Sequence, residues 1–562
     1  MNKWSRSAVP AISLLGVAIV FSPLVAALIG VDSKTTGQSE LFHGAGRPLC
    51  ISALSALTSA MVALALGVPF AILTEKARPL VRHLVWVLGL LALMVPPYMV
   101  AESWIVLLGP VGKVSKPLAL SLGFGPPSSQ ALEVARFAVP GFVFTWFGVG
   151  IVMAGCLFPV VSIVVASVLR RTDWRVFEAA RLIQGQKGVR RTAVRVLAPS
   201  ALGAALLVFA AALMEFAVPQ VLRVRTIGEA IYERIQQGEL GNATWLGLPL
   251  LALIVLSGAL GALVLMRERA ASLAGLEGEI PKFRARPGSA KDDTRAGLMA
   301  LVALTPGLLM PIISLSWSAI AAIEPSASAM GNHRVLRTSG LLNSLQGAWE
   351  LAHNDAVRTV VLGLLAACLA TLFSIGFCRL TAPSRWKWLV GGLGAGLAVP
   401  APVVGLGLIK LWDHAWTAGI YQSLAIVLLA WFARFLPLTL LIAYAALAKV
   451  PRELEDCAAL AGRGGWGKFK SVILPNAAPG IAAAWLAAYV FSTTEFSATL
   501  LVSPPGKPLL APSVVNLMRR GQDSEIAACQ FLLLCVVALP LAVPLVVGFI
   551  RAVVGVRQTR TA

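Results

Sequence analysis

Charged residues are scarce in this sequence, making up 13% of its 562 residues, whereas soluble proteins average about a quarter. Hydrophobic residues make up 57%. Apolar runs of about 20 residues, long enough to cross a bilayer core of roughly 30 Å, recur along the whole chain. This composition argues against a water-soluble globular protein. It predicts an all-α integral membrane protein with about twelve transmembrane helices.

Cysteine and histidine are also too few and too scattered to suggest a cross-linked or metal-binding protein. The seven cysteines include no close pair in a predicted external segment, so no disulfide framework or zinc spacing is indicated. The five histidines, at positions 43, 83, 333, 353 and 414, are widely separated. We therefore predict no metal site and expect the cysteines to pack as small apolar side chains.

Twelve apolar segments have the length and composition of membrane spans. They cover residues 8–30, 49–73, 84–109, 137–166, 200–222, 244–266, 298–320, 356–378, 389–412, 419–443, 477–500 and 526–550. Basic residues precede the first segment without a convincing cleavage site, so we expect a retained helix and not a signal peptide. Prolines at 96, 97, 400 and 402 predict a break or kink in the third and ninth spans.

The formal net charge of +21 is explained by topology and requires no nucleic-acid partner. With the N-terminus inside, the predicted cytoplasmic segments hold 31 of the 47 Lys and Arg residues, and the outer loops hold 13. This distribution is the positive-inside pattern of membrane proteins. It predicts that both termini face the cytoplasm.

The chain divides into two similar halves. A polar stretch at 267–297 predicts a cytoplasmic linker between a first half, 1–266, and a second half, 298–562. Val95-Pro96-Pro97 is echoed by Val399-Pro400-Ala401-Pro402, and Glu215-Phe216 by Glu495-Phe496. A long basic loop, at 171–199 and again at 446–478, lies between the fourth and fifth spans of each half. These echoes predict two six-helix repeats in parallel orientation.

The loop at 446–478 predicts a helix-turn-helix. Pro451 suits the first turn of a helix, acidic residues follow it, and Gly462 suits a helix end. A second helix then leads into the eleventh span. The small side chains of Cys457 and Ala458 would let another protein surface approach closely.

This loop resembles the EAA motif of binding-protein-dependent ABC importer permeases. That motif has Glu-Ala-Ala, then Gly after three further residues, and ends in Ile-x-Leu-Pro. Here Asp456, Cys457 and Ala458 stand for Glu-Ala-Ala, Gly462 for the glycine, and Leu474 with Pro475 for the ending.

The loop at 171–199 contains the literal Glu178-Ala179-Ala180, followed by Gly185 and ending in Pro199. Its glycine lies one residue later than in the motif. Glu178 and Pro199 are 21 positions apart, against 19 for Asp456 and Pro475. The resemblance therefore does not fix the docking register of the first loop.

The resemblance implies a type I ABC importer permease fold in which each loop forms a coupling helix. The expected partners are two copies of an ATP-binding subunit, an extracytoplasmic solute-binding protein and membrane lipid. ATP and magnesium would bind to the ATP-binding subunit, and this chain would be a transport subunit, not an enzyme. The string at 462–468 is similar to a phosphate-binding loop, but Phe469 replaces the Ser or Thr that holds magnesium.

The fused architecture and the segment at 495–506 are similar to permeases for ferric iron and thiamine. This implies import across a bacterial inner membrane, with ferric iron as the first expectation and thiamine, polyamine or phosphonate after it. Charges inside spans cost about 2.5–3.5 kcal/mol at mid-helix on insertion scales. They occur at Glu102, Glu215, Lys410, Arg434 and Glu495.

Two interpretations of these charges are open. We expect Glu102, Glu215 and Glu495 to line or gate the translocation path. The alternative is a paired or interfacial charge, or a side chain that snorkels, as Lys410 beside Asp413 would.

A twelve-span secondary transporter is the main alternative function. Two parallel halves and intramembrane charges would suit it, but the paired EAA-like loops would have no purpose. A membrane-embedded enzyme is disfavoured because no span carries a catalytic or metal-binding cluster in its sequence.

Overall fold

A computed structural model gives the fold of the protein. It describes residues 15–16, 18–27, 38–109, 112–115, 141–172, 174–274, 289–321, 339–380, 393, 395–518 and 525–540. Parts of the predicted first, fourth, ninth and twelfth spans, both termini and linker residues 275–288 lie outside these ranges.

The helices up to the linker and shortly after it are numbered α1 to α11. They are α1 Ala18–Ala27, α2 Gln38–Lys76, α3 Pro79–Met94, α4 Pro97–Leu108, α5 Trp146–Leu169, α6 Trp174–Met214, α7 Ala217–Val221, α8 Ile227–Gln236, α9 Leu240–Ala274, α10 Ala290–Leu304 and α11 Met310–Ala321. A π-helical turn, Thr305–Leu309, joins α10 to α11 and contains Pro306, which lacks the N–H that a regular turn would use.

The remaining helices are α12 to α21. They are α12 Ser339–Leu380, α13 Ala401–Trp412, α14 Ala418–Tyr421, α15 Ala425–Leu447, α16 Arg452–Leu460, α17 Gly465–Lys468, α18 Leu474–Thr493, α19 Ser497–Val502, α20 Leu510–Leu517 and α21 Glu525–Pro540. No strand occurs among the described residues. The prediction of an all-α integral membrane protein is confirmed.

Within the described ranges, eight helical stretches are long and apolar enough to cross a membrane, and the bent pair α3 and α4 would make a ninth. Three shorter apolar helices, α1, α13 and α21, fall within the predicted first, ninth and twelfth spans. Every predicted apolar segment thus contains a helix. The total of twelve spans stays a prediction, because three of these helices are shorter than a bilayer requires.

The third span is broken as its prolines predict. The axes of α3 and α4 meet at 92°. Pro96 precedes α4 and Pro97 begins it, so neither contributes an N–H to a continuous helix. In the same way α13 begins directly after Pro400. The predictions for these prolines are confirmed at both places where the chain is described.

The predicted ends of the fifth and eleventh spans, at 222 and 500, are wrong. Helix α6 ends at Met214 and α18 at Thr493, and a new short helix follows each break. Hydropathy runs through both breaks unchanged because α7 and α19 are also apolar. The pattern of apolar residues alone therefore gives one span where the backbone makes two helices.

The described helices form two compact bodies. The N-terminal body comprises residues 31–318, and the C-terminal body comprises residues 1–30 and 319–562. Each body lacks one span of its own sequence half and contains one span from the other half. Helix α1 belongs to the C-terminal body, where Lys410 Nζ donates to the Ala27 carbonyl at 3.1 Å. Helix α10 belongs to the N-terminal body, where Asp293 accepts from the backbone N–H of Arg78 at 2.8 Å.

The cores of the two bodies are built by close helix packing. In the N-terminal body α2 lies against α5, and a Cβ added at Gly67 would lie 2.9 Å from the Phe158 carbonyl oxygen. In the C-terminal body α12, α15 and α18 pack together around the buried rings of Trp431 and Tyr489. The Tyr489 hydroxyl donates to the Val536 carbonyl at 2.9 Å, so its one polar atom is satisfied.

Candidate functional site

The loop at 446–478, here the second EAA-like loop, folds as its sequence predicts. Helix α16 begins after Pro451, carries Glu453 and Glu455 in its first turn and ends at Leu460. Gly462 follows with φ +75°, a left-handed conformation that is cheap only for glycine. The chain then re-enters a helix at Gly465 and continues into α18.

The base of this loop is fixed to the C-terminal body. The Arg379 guanidinium at the end of α12 lies 3.5 Å from the Glu455 carboxylate. Ala458 is buried. Val450, Ile473 and Ala477 form a small apolar cluster beneath the turn. These contacts hold α16 in one place without covering its outer face.

The outer face of the second EAA-like loop carries exposed apolar side chains. Leu460 is 89% exposed and Trp466 is 75% exposed. Asp456 and Cys457 lie exposed on the same helix. Large apolar side chains in this position leave water only if another surface covers them.

The loop at 171–199, here the first EAA-like loop, has the same plan with a shorter turn. Helix α6 is continuous except at Gly185, where φ is +60° and ψ is −144°. Leu182 is 89% exposed and Ile183 is 79% exposed. Glu178 and Ala179 are exposed and Ala180 is half-buried. Both motif glycines therefore mark the end of a helix whose apolar residues face outward.

Gly188 was missed by sequence reasoning. A Cβ at this position would strike the carbonyl oxygen of Ala180. The second helix of the loop thus crosses directly over the end of the first. The spacing Gly185-x-x-Gly188 was the available signal, since a second glycine one turn after the first allows close backbone approach.

The base of the first EAA-like loop is fixed by a buried carboxylate. Glu75 accepts a hydrogen bond from Arg170 Nη2 at 2.6 Å and another from Trp86 Nε1 at 2.9 Å. The Arg170 guanidinium also lies over the Trp86 ring, 5.7 Å from its centroid. These contacts join the ends of α2 and α5 to α3, just before the loop begins.

The prolines that close the two motifs lie inside helices. Pro475 is the second residue of α18 and follows a π-helical turn, Phe469–Ile473. Pro199 lies within α6. Leu474 begins α18 and is half-buried. In the second EAA-like loop the π turn accommodates the missing N–H of the proline.

The glutamates after the fifth and eleventh spans cap short helices. Glu495 accepts from the backbone N–H of Ala498 at 2.9 Å and from that of Thr499 at 2.8 Å, and the Thr499 hydroxyl donates to it at 2.6 Å. Glu215 accepts from the backbone N–H of Ala217 at 2.9 Å. Each carboxylate thus stabilises the start of the helix after the break, α19 or α7.

Glu495 has a cationic neighbour as well. Arg434 Nε lies 3.9 Å from a Glu495 carboxylate oxygen. Trp431 Nε1 donates to the Thr499 hydroxyl at 2.8 Å, which links α15 to the same capped turn. Glu102 is buried in α4, which packs against α7. The contacts of Glu215 and Glu495 favour the paired interpretation; a path-lining role for the three glutamates stays a prediction.

A further pair of matching contacts was not visible in the sequence. The first amide of α8, at Ile227, donates to the Ser52 hydroxyl at 3.0 Å. The first amide of α20, at Leu510, donates to the Thr359 hydroxyl at 2.9 Å. In each body a hydroxyl from the helix of the half's second span therefore holds the short helix that precedes its sixth.

Neither a metal cluster nor a nucleotide-binding loop stands out in the described part of the chain. No group of three or more His, Cys, Asp or Glu side chains there could hold a metal ion. The glycine-rich string at 462–468 follows helix α16, whereas a phosphate-binding loop follows a strand.

No protein-family model matches the chain. Several individual proteins are similar to parts of it. The 2-aminoethylphosphonate transport system permease protein PhnV of Salmonella typhimurium, a tentative designation, is 26% identical over 261 residues, or 45% of this chain and 93% of PhnV. The putrescine transport system permease protein PotI of Escherichia coli is 25% identical over 251 residues, 44% of this chain and 83% of PotI. This chain is related to binding-protein-dependent ABC permeases.

A third permease is similar to this chain over a shorter stretch. The Fe(3+)-transport system permease protein FbpB 2 of Haemophilus influenzae is 29% identical over 106 residues, 19% of this chain and 21% of FbpB 2. Together with the apolar helices, these relatives support a multi-pass membrane permease of an ABC importer for a small solute.

Proposed function

We propose that this chain is a fused two-half transmembrane permease of an ATP-driven importer in a bacterial inner membrane. It moves a small solute, delivered by an extracytoplasmic binding protein, into the cytoplasm, where both of its termini lie. One observation carries the proposal above the others. Two separate loops each form a helix, a left-handed glycine and a second helix that leads into a span.

Each EAA-like loop docks one copy of an ATP-binding subunit. The exposed Leu182 and Ile183 of the first loop and Leu460 of the second are the apolar residues that the partner would cover. Burying a leucine side chain contributes about 1.5–3 kcal/mol. The contacts at the base of each loop, Glu75 with Arg170 and Arg379 with Glu455, would transmit the partner's movement to the spans.

The internal match of the two halves supports a single-chain permease. Each half has a proline break, an EAA-like loop, a glutamate cap and a hydroxyl-capped short helix, in the same order. The match to PhnV covers 93% of that protein but 45% of this chain. One permease subunit thus corresponds to about half of this chain. The two halves here would take the place of two separate subunits.

ATP and magnesium belong to the partner in this proposal. This chain binds no cofactor and acts as a transport subunit, not an enzyme. Phe469 occupies the position where a phosphate-binding loop has its hydroxyl, and its ring stacks on Trp466 with centroids 5.4 Å apart. An aromatic side chain at that position cannot ligate magnesium.

Ferric iron is the first candidate substrate, followed by thiamine, polyamine or phosphonate. The similarity to FbpB 2 supports iron over a short stretch. The longer similarities to PhnV and PotI support phosphonate and polyamine. Glu102 in α4, and Glu215 and Glu495 in the breaks after α6 and α18, are the proposed path-lining residues.

Co-purification tests the proposal. The full chain is solubilised with gentle detergent from its own host. It should retain an ATP-binding subunit, with about two copies of that subunit for each copy of this chain. Reconstituted with a solute-binding protein, the complex should hydrolyse ATP faster, while the chain alone should hydrolyse none. Solute uptake driven by an ion gradient in vesicles containing this chain alone would instead establish a secondary transporter.

A further inference from the structure

Arg434 is a largely buried cation, 17% exposed, with one buried donor atom that lacks an acceptor among the described residues. It lies near the middle of α15, inside a span. Its Nη1 atom is buried, and none of the described residues accepts a hydrogen bond from it. The carboxylate of Glu495 lies 3.9 Å from Nε, which is too far for a hydrogen bond. Buried guanidinium groups are otherwise fully hydrogen-bonded, so this one requires an explanation.

Glu495 does not explain it. Its carboxylate accepts two backbone amides and one hydroxyl, all within 2.9 Å. These three donors come from the turn that Glu495 caps, and they satisfy it without Arg434. The arginine therefore contributes charge to the pair, while its Nη1 atom has no acceptor in the described part of the chain.

The first half of the chain provides an internal control. Spans α5 and α15 each contain one internal proline, Pro159 and Pro437. Three residues before these prolines lie Cys156 and Arg434 respectively. Glu215 still caps α7 with cysteine at the matching position. A glutamate-capped break therefore forms without an arginine, and Arg434 is an addition to the second half.

A second buried polar atom lies near the same break. The hydroxyl of Ser492, one turn before Glu495, makes no hydrogen bond to any residue that the structure describes. The Arg434 guanidinium also lies over the Phe435 ring, 5.7 Å from its centroid, so a cation–π contact covers one side of it but accepts no hydrogen bond from Nη1. Nη1 of Arg434 and the Ser492 hydroxyl can therefore both donate at this break, while the acceptor Glu495 already receives three hydrogen bonds.

We propose that Arg434 binds an oxyanion of the transported solute. The group would be a phosphonate, phosphate or carboxylate, either in a free organic anion or in the ligands of a chelated metal ion. A planar guanidinium matches two oxygens of such a group. The inference rests on the proposed importer function and narrows its substrate. A free cation such as putrescine would be repelled.

The test measures equilibrium binding to the full chain in lipid nanodiscs without any partner. The probes are radiolabelled 2-aminoethylphosphonate, ferric citrate and, as the cationic control, putrescine. We expect the parent chain to bind at least one of the two oxyanion probes and not putrescine. Which of the two binds distinguishes a free oxyanion from a metal chelate.

Arg434→Cys installs the residue that the first half has at the same place. It should raise the Kd for the bound oxyanion about 10- to 100-fold, the loss expected for a charge-assisted hydrogen bond. Cys156→Ala is the matched control and should leave the Kd unchanged. Equal binding by the parent and Arg434→Cys, or no binding of either oxyanion by the parent, would overturn the inference.

A double variant separates binding from folding. If Arg434→Cys unfolds, Arg434→Gln combined with Glu495→Gln removes both charges and should restore the thermal midpoint. It should still bind the oxyanion at least 10-fold more weakly, because the cation is gone. Parent-like affinity in this folded double variant would show that Arg434 serves only as the partner of Glu495.

The tests of the importer function and of oxyanion binding by Arg434 can fail separately. Binding is measured on the chain alone, whereas the importer function depends on association with an ATP-binding subunit. If that subunit co-purifies equally with the parent and with Arg434→Cys but oxyanion binding does not change, the substrate inference fails and the function stands.

Discussion

The Arg379 guanidinium lies 3.5 Å from the Glu455 carboxylate, and this ion pair joins the end of span α12 to helix α16 of the second EAA-like loop. Both side chains are about one-third exposed. An ion pair of this kind contributes little to stability, about 0.2–1 kcal/mol. It does give α16 a fixed direction relative to the span that it must move.

We therefore expect Arg379→Gln to leave folding nearly unchanged and to weaken coupling. The thermal midpoint should stay within about 2 °C of the parent's, as a loss below 1 kcal/mol implies. Solute-stimulated ATP hydrolysis by the assembled transporter should fall severalfold. The charge-reversed pair Arg379→Glu with Glu455→Arg should recover part of the activity, and no recovery would argue against a direct role for the pair.

Gly462 should be required for coupling more than for folding. Its φ of +75° disfavours any residue with a Cβ by about 1 kcal/mol, although no atom lies within 4 Å of where a Cβ would be. Gly462→Val should therefore redirect α16 without a clash. Pull-down of the ATP-binding subunit should drop sharply while membrane abundance stays near normal.

Gly464→Val is the matched control for that variant. Gly464 also has open space around it, but its φ is −65°. It should bind the partner much better than Gly462→Val. Asp456→Lys, which reverses an exposed charge on α16, should behave like Gly462→Val. Normal partner binding by both Gly462→Val and Asp456→Lys would remove the basis for a coupling helix here.

Local features of the loops were predictable because they depend on neighbouring residues. Pro451 and the acidic residues after it favour a helix start, and Gly462 favours a helix end, whatever the rest of the chain does. The break at Pro96 follows from the same local chemistry. Apolar runs likewise predicted where helices lie.

Contacts between distant residues were not predictable in this way. The hydroxyls that hold α8 and α20 are 175 and 151 residues from the amides they accept. Helices α1 and α10 each pack with the half of the sequence to which they do not belong. Hydropathy shows where a helix lies but does not show which other helices it packs against. The sequence also presents Glu495 as a charge inside a span, whereas the backbone breaks there and uses it as a cap.

The turn of the first EAA-like loop should be more sensitive to bulk than that of the second. A Cβ at Gly188 would strike the Ala180 carbonyl oxygen, which is backbone and cannot move alone. Gly188→Ala should therefore reduce binding of the ATP-binding subunit and lower the thermal midpoint. Gly465→Ala, where no atom lies within 4 Å, is the control and should resemble the parent. Tolerance of Gly188→Ala would show that the two helices of the loop separate in the assembled transporter.

Cys457 offers a direct test of orientation because it is exposed on α16. In a variant with the other six cysteines replaced by alanine, a membrane-impermeant maleimide should label Cys457 in inside-out vesicles. Intact spheroplasts should give no labelling. Lys507 lies on an exposed segment that is predicted to be outside. In a background without Cys457, Lys507→Cys should therefore be labelled in intact spheroplasts and not in inside-out vesicles. Labelling of Cys457 from outside would reverse the topology.

The hydroxyl of Thr359 should contribute measurably to stability. It accepts the buried amide of Leu510 at 2.9 Å and donates to the Asp355 carbonyl at 2.7 Å. Thr359→Val keeps the shape but leaves that amide unsatisfied, which costs about 1–3 kcal/mol. We expect a clear fall in the thermal midpoint of the purified chain. Thr359→Ser should recover most of it.

Thr371 on the same helix provides the contrasting case. Its hydroxyl is buried and makes no hydrogen bond within the part of the chain that the structure describes. Thr371→Val therefore removes a polar atom that burial already penalises, and it should leave the thermal midpoint unchanged or raise it. Because both variants make the same chemical change in α12, the difference between them isolates the hydrogen bond to α20. Equal midpoints for the two would mean that the amide of Leu510 finds another acceptor when Thr359 is lost.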